Sequence, residues 1–196
     1  MPGVHTSAEI FLHIRVVMGV ILGLGIARLL GGIARFIQHP GRHKVYFVHL
    51  GWVVSILLTL VHFWWWEFWL FDIERWSFAI YAFLLAYLTV LYLLSTLLFP
   101  DDIAEYRDYE DYFMSRRKWF FGLLAATFLL DLVDTLIKGA QHFQLFGNEY
   151  AIRVPAYVAL CLVAMFWRNK CFHVAFVIAS LVYQVSWIVR LFATLA

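Results

Sequence analysis

Polar and ionisable side chains recur at helical spacing in three segments that are otherwise apolar. Within each set the residues lie mostly three or four positions apart, so that each set would line one face of a helix. The sets are Ser55, Thr59, His62 and Trp66 with Glu67 beside them; Thr127, Asp131, Asp134 and Lys138; and Ser180, Tyr183, Gln184, Trp187 and Arg190. Random scatter would not align polar residues in three segments, so we expect these faces to converge.

Charge in an apolar segment needs a partner or water. An unpaired charge at the centre of a transmembrane helix costs about 2.5–3.5 kcal/mol on insertion scales. We therefore expect Asp131 and Asp134 to be balanced by Arg190, with Lys138 as a second candidate, and His62 to lie nearby as a titrating group. One interpretation is an ion, proton or substrate pathway, and the other is a structural salt-bridge network. The pathway would comprise His62, Glu67, Asp131, Asp134, Gln184 and Arg190.

Small residues recur every four positions in the first apolar segment, and an arginine lies beside them. Small side chains at this spacing allow close approach of helix backbones, while the arginine can reach the inner headgroups. The predicted helix-packing or pore face comprises Gly19, Gly23, Ala27, Arg28 and Gly31. Packing within the chain, a subunit contact and a pore lining all remain open.

The elements that must position these residues are apolar helices. Apolar residues make up 64% of the 196 positions and charged residues only 14%, against about a quarter charged in soluble domains. Six segments have the roughly 20 apolar residues that span a bilayer: about 10–36, 45–70, 76–99, 118–139, 150–167 and 171–194. The sequence predicts an all-α integral membrane protein, a six-transmembrane-helix bundle forming a single transmembrane domain over 1–196.

The positive charges predict an orientation. Nine lysines and arginines fall in the segment ends and loops of one side and five on the other, which places both termini outside under the positive-inside rule. The tryptophans of 62–69 would then lie at the outer interface. The segments GIARLLGGIAR, FWWWEFW, LLFPDD and RRKWFFGLL resemble bacterial inner-membrane proteins of unknown function. This resemblance implies an inner (plasma) membrane location and carries no activity with it.

The segment 101–117 is the longest polar stretch. Asp101 or Asp102 follows Pro100 as a candidate helix cap, and four apolar or aromatic residues then recur at near-helical spacing. They are Ile103, Tyr106, Tyr109 and Phe113. We predict a short amphipathic cytoplasmic helix, which is either a solvated connector or a docking site for a partner or another subunit.

Other chemistry is less well supported. His49 and His62 lie thirteen residues apart and face different ways around their helix, so a bis-histidine haem site is not favoured. The sequence contains no CxxCH, zinc-type spacing or nucleophile elbow, so we assign no metal ligand and no catalytic residue. The modest net charge of +2 does not suggest nucleic acid.

These patterns lead to three functional hypotheses. The first is an ion or proton channel or transporter that uses the intramembrane polar cluster. It would be homo-oligomeric, because 196 residues leave little room for an aqueous path within one bundle. The second is a non-transporting subunit or sensor that docks a partner through 101–117. The third is a haem-binding or lipid-modifying membrane protein.

Overall fold

The computed structural model describes residues 6–39, 41–42, 44–73, 75–139 and 146–192, and this part of the chain is almost wholly helical. Each of the six long helices is long and apolar enough to cross a membrane, so the prediction of six apolar helices is confirmed. They are α1 (Ser7–Gln38), α2 (Phe47–Trp66), α3 (Phe78–Leu97), α4 (Tyr109–Ile137), α5 (Gly147–Phe166) and α6 (Lys170–Phe192).

Polar caps define where three of the helices begin. Thr6 and Glu9 form a capping box at α1, and the side chain of Ser77 accepts the amide of Ile80 at α3. Asp108 does the same for Asp111 at α4. These side chains satisfy amides that have no partner within the helix. A different device ends α2, where the chain continues as a 3₁₀ helix over Glu67–Asp72.

The predicted amphipathic helix over 101–117 is wrong. Asp102 caps only a short 3₁₀ helix, Ile103–Glu105, and the remainder of the segment joins α4, which begins at Tyr109 and not at 118. The reason is tertiary: Tyr109, Tyr112 and Phe113 are buried in the bundle. Packing of these aromatic side chains adds about two turns to the start of α4.

The centre of the bundle is α2, which contacts α1, α3, α4 and α6. Its core-facing Trp52 lies in edge contact with three phenylalanine rings, with centroids 5.2–5.5 Å away. This aromatic cluster consists of Trp52, Phe120, Phe121 and Phe176. Aromatic rings bury large areas and prefer such edge contacts, so the cluster joins α2, α4 and α6 without a polar group between them.

Much of the small-residue face of α1 does not pack against the other described helices. Among the described residues, a methyl group at Gly23 or Gly31 would meet nothing within 4 Å, whereas one at Gly19 would meet the Trp64 ring. The close contacts of α1 are made instead by Gly25 beside Ser95 and by Gly32, where a Cβ would overlap the Phe99 ring. This contradicts packing within the chain at Gly23 and Gly31, while a subunit contact or a pore lining there stays a prediction.

Candidate functional site: a polar cavity and a buried ion triad

A cavity of about 150 Å³ lies between α2, α4, α5 and α6. The polar faces of α2, α4 and α6 meet at it, as expected from their spacing. The contribution of α5 was not predicted, although Tyr150, Arg153 and Tyr157 have the same helical spacing. The hydroxyl, amide, imidazole and charged side chains that line the cavity are Ser55, Thr59, His62, Tyr87 (from α3), Thr127, Asp131, Thr135, Tyr150, Arg153, Tyr157, Ser180, Tyr183 and Gln184.

Gln184 of α6 is held in the cavity wall by α2. Its carboxamide oxygen accepts the Ser55 hydroxyl at 2.9 Å, and its nitrogen donates to Thr59 Oγ1 at 2.9 Å and to the Ser55 carbonyl at 3.2 Å. The Thr59 hydroxyl itself donates to the Ser55 carbonyl. Three bonds fix one amide, so α2 and α6 are joined by a polar contact at cavity depth.

Asp131 forms the charged part of the wall together with α5. Its Oδ2 accepts the Tyr150 hydroxyl at 2.9 Å and a guanidinium nitrogen of Arg153 at 3.2 Å. The Arg153 guanidinium also lies 4.4 Å from the Trp187 ring centroid and 4.9 Å from that of Tyr150. The positive-inside count treats Arg153 only as an orientation charge, and the fold makes it the counter-charge of Asp131.

Asp134 lies outside this cavity wall in a separate triad with Lys138 and Glu67. The Lys138 ammonium donates to Asp134 Oδ2 at 2.5 Å and to Glu67 Oε1 at 3.0 Å. All three side chains are at most 3% exposed. Glu67, the first residue after α2, faces inward and binds Lys138, so it belongs to this triad and does not line the cavity with the other residues of the predicted pathway.

The predicted pairing of Asp134 with Arg190 is also wrong. Arg190 binds Glu149 through two nitrogens at 2.6 and 2.8 Å, and the Tyr183 hydroxyl donates to the same carboxylate at 2.8 Å. This pair joins α6 to the start of α5 at the exposed end of the helices. Lys138, the second candidate, is four residues from Asp134 and reaches it along the same helix.

His62 and Arg28 have different surroundings. His62 lines the cavity, with its ring in edge contact with Trp66 at 5.9 Å between centroids. Arg28 donates to the Phe99 carbonyl at 3.0 Å and forms an ion pair with Asp101. Arg28 thus connects α1 to the turn after α3 and is not among the residues that line the cavity.

The remaining buried histidines bind backbone carbonyls. His49 Nε2 lies 2.5 Å from the Leu98 oxygen, and its ring stacks on Tyr109. His173 Nε2 lies 2.9 Å from the Trp167 oxygen. Within the described residues, no three His, Cys, Asp or Glu side chains are grouped closely enough to hold a metal ion.

Comparison with known proteins gives no relative. No protein-family model, curated protein or solved structure matches this chain. Its function has to be inferred from its own residues.

Proposed function

We propose that this chain is a multi-pass membrane protein that carries a small polar solute or ion through the cavity between α2, α4, α5 and α6. One observation supports this most: an empty space inside an apolar bundle is lined by a carboxylate, a guanidinium, an imidazole and an amide. Ionisable groups within membrane helices are expensive and typically mark a pathway for substrate or ions. Small-molecule sites combine apolar walls with a few converging polar groups in the same way.

Cavity size limits the ligand. A volume of about 150 Å³ equals about five waters at roughly 30 Å³ each, and an apolar cavity of that size takes up benzene. The charges limit the ligand further, because Asp131 and Arg153 already offset one another. We therefore favour a neutral or zwitterionic solute of about five to eight non-hydrogen atoms, with a partly hydrated ion as the second possibility.

The cavity is closed on one side by aromatic rings, which favours a carrier over an open channel. Trp52 lines the cavity and belongs to the aromatic cluster with Phe120, Phe121 and Phe176, which lies towards the start of α4. Trp52 is 1% exposed. Solute passing in that direction would have to move these rings apart, as in transport that exposes a central site to one side at a time.

Docking through 101–117 has less support. Tyr109, Tyr112 and Phe113, its most apolar part, are buried within the chain, and Asp101 is paired with Arg28. The membrane insertion itself, the inner-membrane location and the outside position of both termini are part of the proposal.

The cavity can be tested without knowing the solute. In a protein lacking its own thiols (Cys161→Ala, Cys171→Ser), Thr127→Cys should react with a small, charged methanethiosulfonate reagent from one side of the membrane. Reactivity requires the hydrated thiolate, so we expect labelling about tenfold or more faster than at Val133→Cys. Val133 is the matched control: it lies on the same helix but is 42% exposed on the apolar exterior.

Transport needs a second readout. Liposomes containing only this protein should take up at least one member of a panel of small neutral and zwitterionic solutes and alkali cations faster than protein-free liposomes. Asp131→Asn should reduce that uptake. If Thr127→Cys is labelled no faster than Val133→Cys, and no panel member is taken up, the cavity is a structural void and the proposal is rejected.

A further inference from the structure

The Lys138–Glu67–Asp134 triad contains one basic and two acidic side chains, all of them buried. One ammonium binds two carboxylates, at 3.0 and 2.5 Å, and none of the three side chains is more than 3% exposed. If both carboxylates were ionised, one negative charge would be left over. An uncompensated buried charge is so costly that the group usually takes the neutral form instead.

The second oxygen of each carboxylate supplies independent evidence. Glu67 Oε2 and Asp134 Oδ1 are buried and have no hydrogen-bond partner among the described residues. Their sister oxygens bind the same Lys138 nitrogen, so the two carboxyl groups lie within two hydrogen-bond lengths of one another. This leaves two oxygens for the one proton that would neutralise the triad.

The surrounding groups do not remove the excess charge. Asp131, one turn earlier on α4, adds a further carboxylate, and its own counter-charge is Arg153 of α5. Tyr87 of α3 is buried and uncharged, and the Trp66 ring lies 5.5 Å from the Lys138 ammonium. His62 of α2 and Tyr150 of α5 line the cavity on the Asp131 side. Among these groups Lys138 is the cation bound to the two carboxylates.

We propose that Glu67 and Asp134 share one exchangeable proton, so that the triad is a proton-binding site of this protein. The proton sits on Glu67 Oε2 or Asp134 Oδ1. On release the O–H bond breaks, the proton passes to water, and the oxygen keeps the electron pair as a carboxylate; uptake is the reverse. Proton binding does not itself require the proposed transport function. Coupling of the proton to the solute does rest on it.

Coupling has a short physical route. Asp131 and Asp134 are one turn apart on α4, and Thr135 follows Asp134. The Thr135 hydroxyl donates to the Asp131 carbonyl at 2.9 Å and lies 3.0 Å from the Tyr150 hydroxyl. That hydroxyl binds the Asp131 carboxylate in the cavity wall. Loss of the proton would make the electrostatic potential at Asp131 more negative and strengthen the attraction between Asp131 and Arg153. The charge distribution in the cavity wall would then depend on the protonation state of the triad.

The pH dependence of stability tests proton binding directly. In the parent protein, the native state keeps a proton that the unfolded chain already releases in mildly acidic solution. The stability that this proton contributes is therefore fully present at acidic pH and falls as pH rises, until the native proton dissociates. Tm should fall by about 3 °C per pH unit over that range. Glu67→Gln and Asp134→Asn replace the shared protonated carboxyl by a neutral amide, and should each remove this component.

The difference between each variant and the parent is the quantity to measure, because other carboxyl groups, tyrosines and lysines titrate as well. Glu105→Gln, an exposed carboxylate outside the six long helices, is the matched control and should follow the parent. Infrared difference spectra of the parent between neutral and alkaline pH give a second readout that needs no variant. They should show loss of a protonated-carboxyl C=O band, and the spectra of any folded triad variant should lack it.

The outcomes separate clearly. The proposal would be overturned if the Tm difference between the parent and Glu67→Gln stayed constant with pH and no protonated-carboxyl band appeared. Stabilisation of the parent by Na⁺ in place of a pH dependence would also overturn it and identify a cation site. The pH and infrared measurements use no transported solute, so Thr127→Cys can fail to label while the triad still titrates, and the reverse.

Discussion

The charged pair in the cavity wall is held at both ends. The Arg153 guanidinium lies close to the rings of Tyr150 and Trp187 and also binds Asp131. The side chains are 14% and 25% exposed, so the pair is neither fully dry nor freely solvated. The two ring contacts and the carboxylate restrict the guanidinium, which lines the cavity.

Removing one member of that pair should leave the other stranded. We expect Asp131→Asn and Arg153→Gln each to lower the free energy of unfolding by about 1–3 kcal/mol, less than for a fully buried pair. The double variant should lose less than the sum of the two, because neither charge is then left alone. Thermal or denaturant unfolding in detergent measures all three.

Arg190→Gln provides the comparison for these three variants. Its partner Glu149 lies at the exposed end of α5, with side chains 53% and 41% exposed, and exposed ion pairs contribute little to stability. If Arg190→Gln were as damaging as Arg153→Gln, the assignment of Asp131 to Arg153 would lose its support. Additive effects of Asp131→Asn and Arg153→Gln would have the same consequence.

At the scale of single elements, α1 packs with a face adjacent to its small-residue ladder. Gly25 would place a Cβ 3.0 Å from Ser95 Oγ, and a Cβ at Gly32 would overlap the Phe99 ring, whereas Gly23 and Gly31 face open space. Because backbone and ring are already in contact at Gly32, the ring must move for any larger residue to fit. The contact between α1 and the end of α3 therefore requires glycine at this position.

Substitution of these two glycines separates the faces. Gly32→Leu should destabilise the protein by about 1–3 kcal/mol or more through overpacking, seen as a lower Tm in detergent. Gly23→Leu on the same helix should leave the Tm close to that of the parent. Equal losses would mean that α1 is rotated relative to the structure. A loss of oligomer mass in Gly23→Leu at unchanged Tm would support the predicted subunit contact.

The end of α2 illustrates a second element-scale effect. The α-helix stops at Trp66, and the tighter 3₁₀ helix over Glu67–Asp72 turns the following side chains by about 120° per residue in place of about 100°. Glu67 and Leu70 are both buried in this segment. Glu67 is its first residue and lies four positions after the buried Phe63, so it continues the buried face of α2 towards Lys138.

For the molecule as a whole, the exterior has the character of a lipid-facing surface. Large aliphatic and aromatic side chains are exposed along several helices; on α1 alone they include Leu12, Val16, Val20, Leu24, Leu30 and Ile37. Exposed apolar area on this scale is rare in soluble monomers. A bilayer accounts for it, which is why insertion is part of the proposed function.

Orientation is the whole-molecule property that charge asymmetry predicts. In a protein lacking its own cysteines, single cysteines at positions 2 and 196 should react with an impermeant thiol reagent applied to the outer face of the membrane. Glu105→Cys, in the exposed connection before α4, should react only after permeabilisation. The opposite pattern would invert the topology and place the cavity nearer the cytoplasmic side.

Six helices, their approximate ends apart from the start of α4, and the three polar faces could be predicted from the sequence, because length, hydropathy and spacing are local properties of each segment. Thr59, His62, Asp131 and Gln184 were found at the cavity for this reason. Partner choice could not be predicted. Whether Asp134 binds Lys138 or Arg190, whether Arg153 enters the cavity and which face of α1 is covered all depend on the rotation and depth of each helix against its neighbours. Those quantities are set by side-chain packing across the bundle, which only the tertiary structure decides.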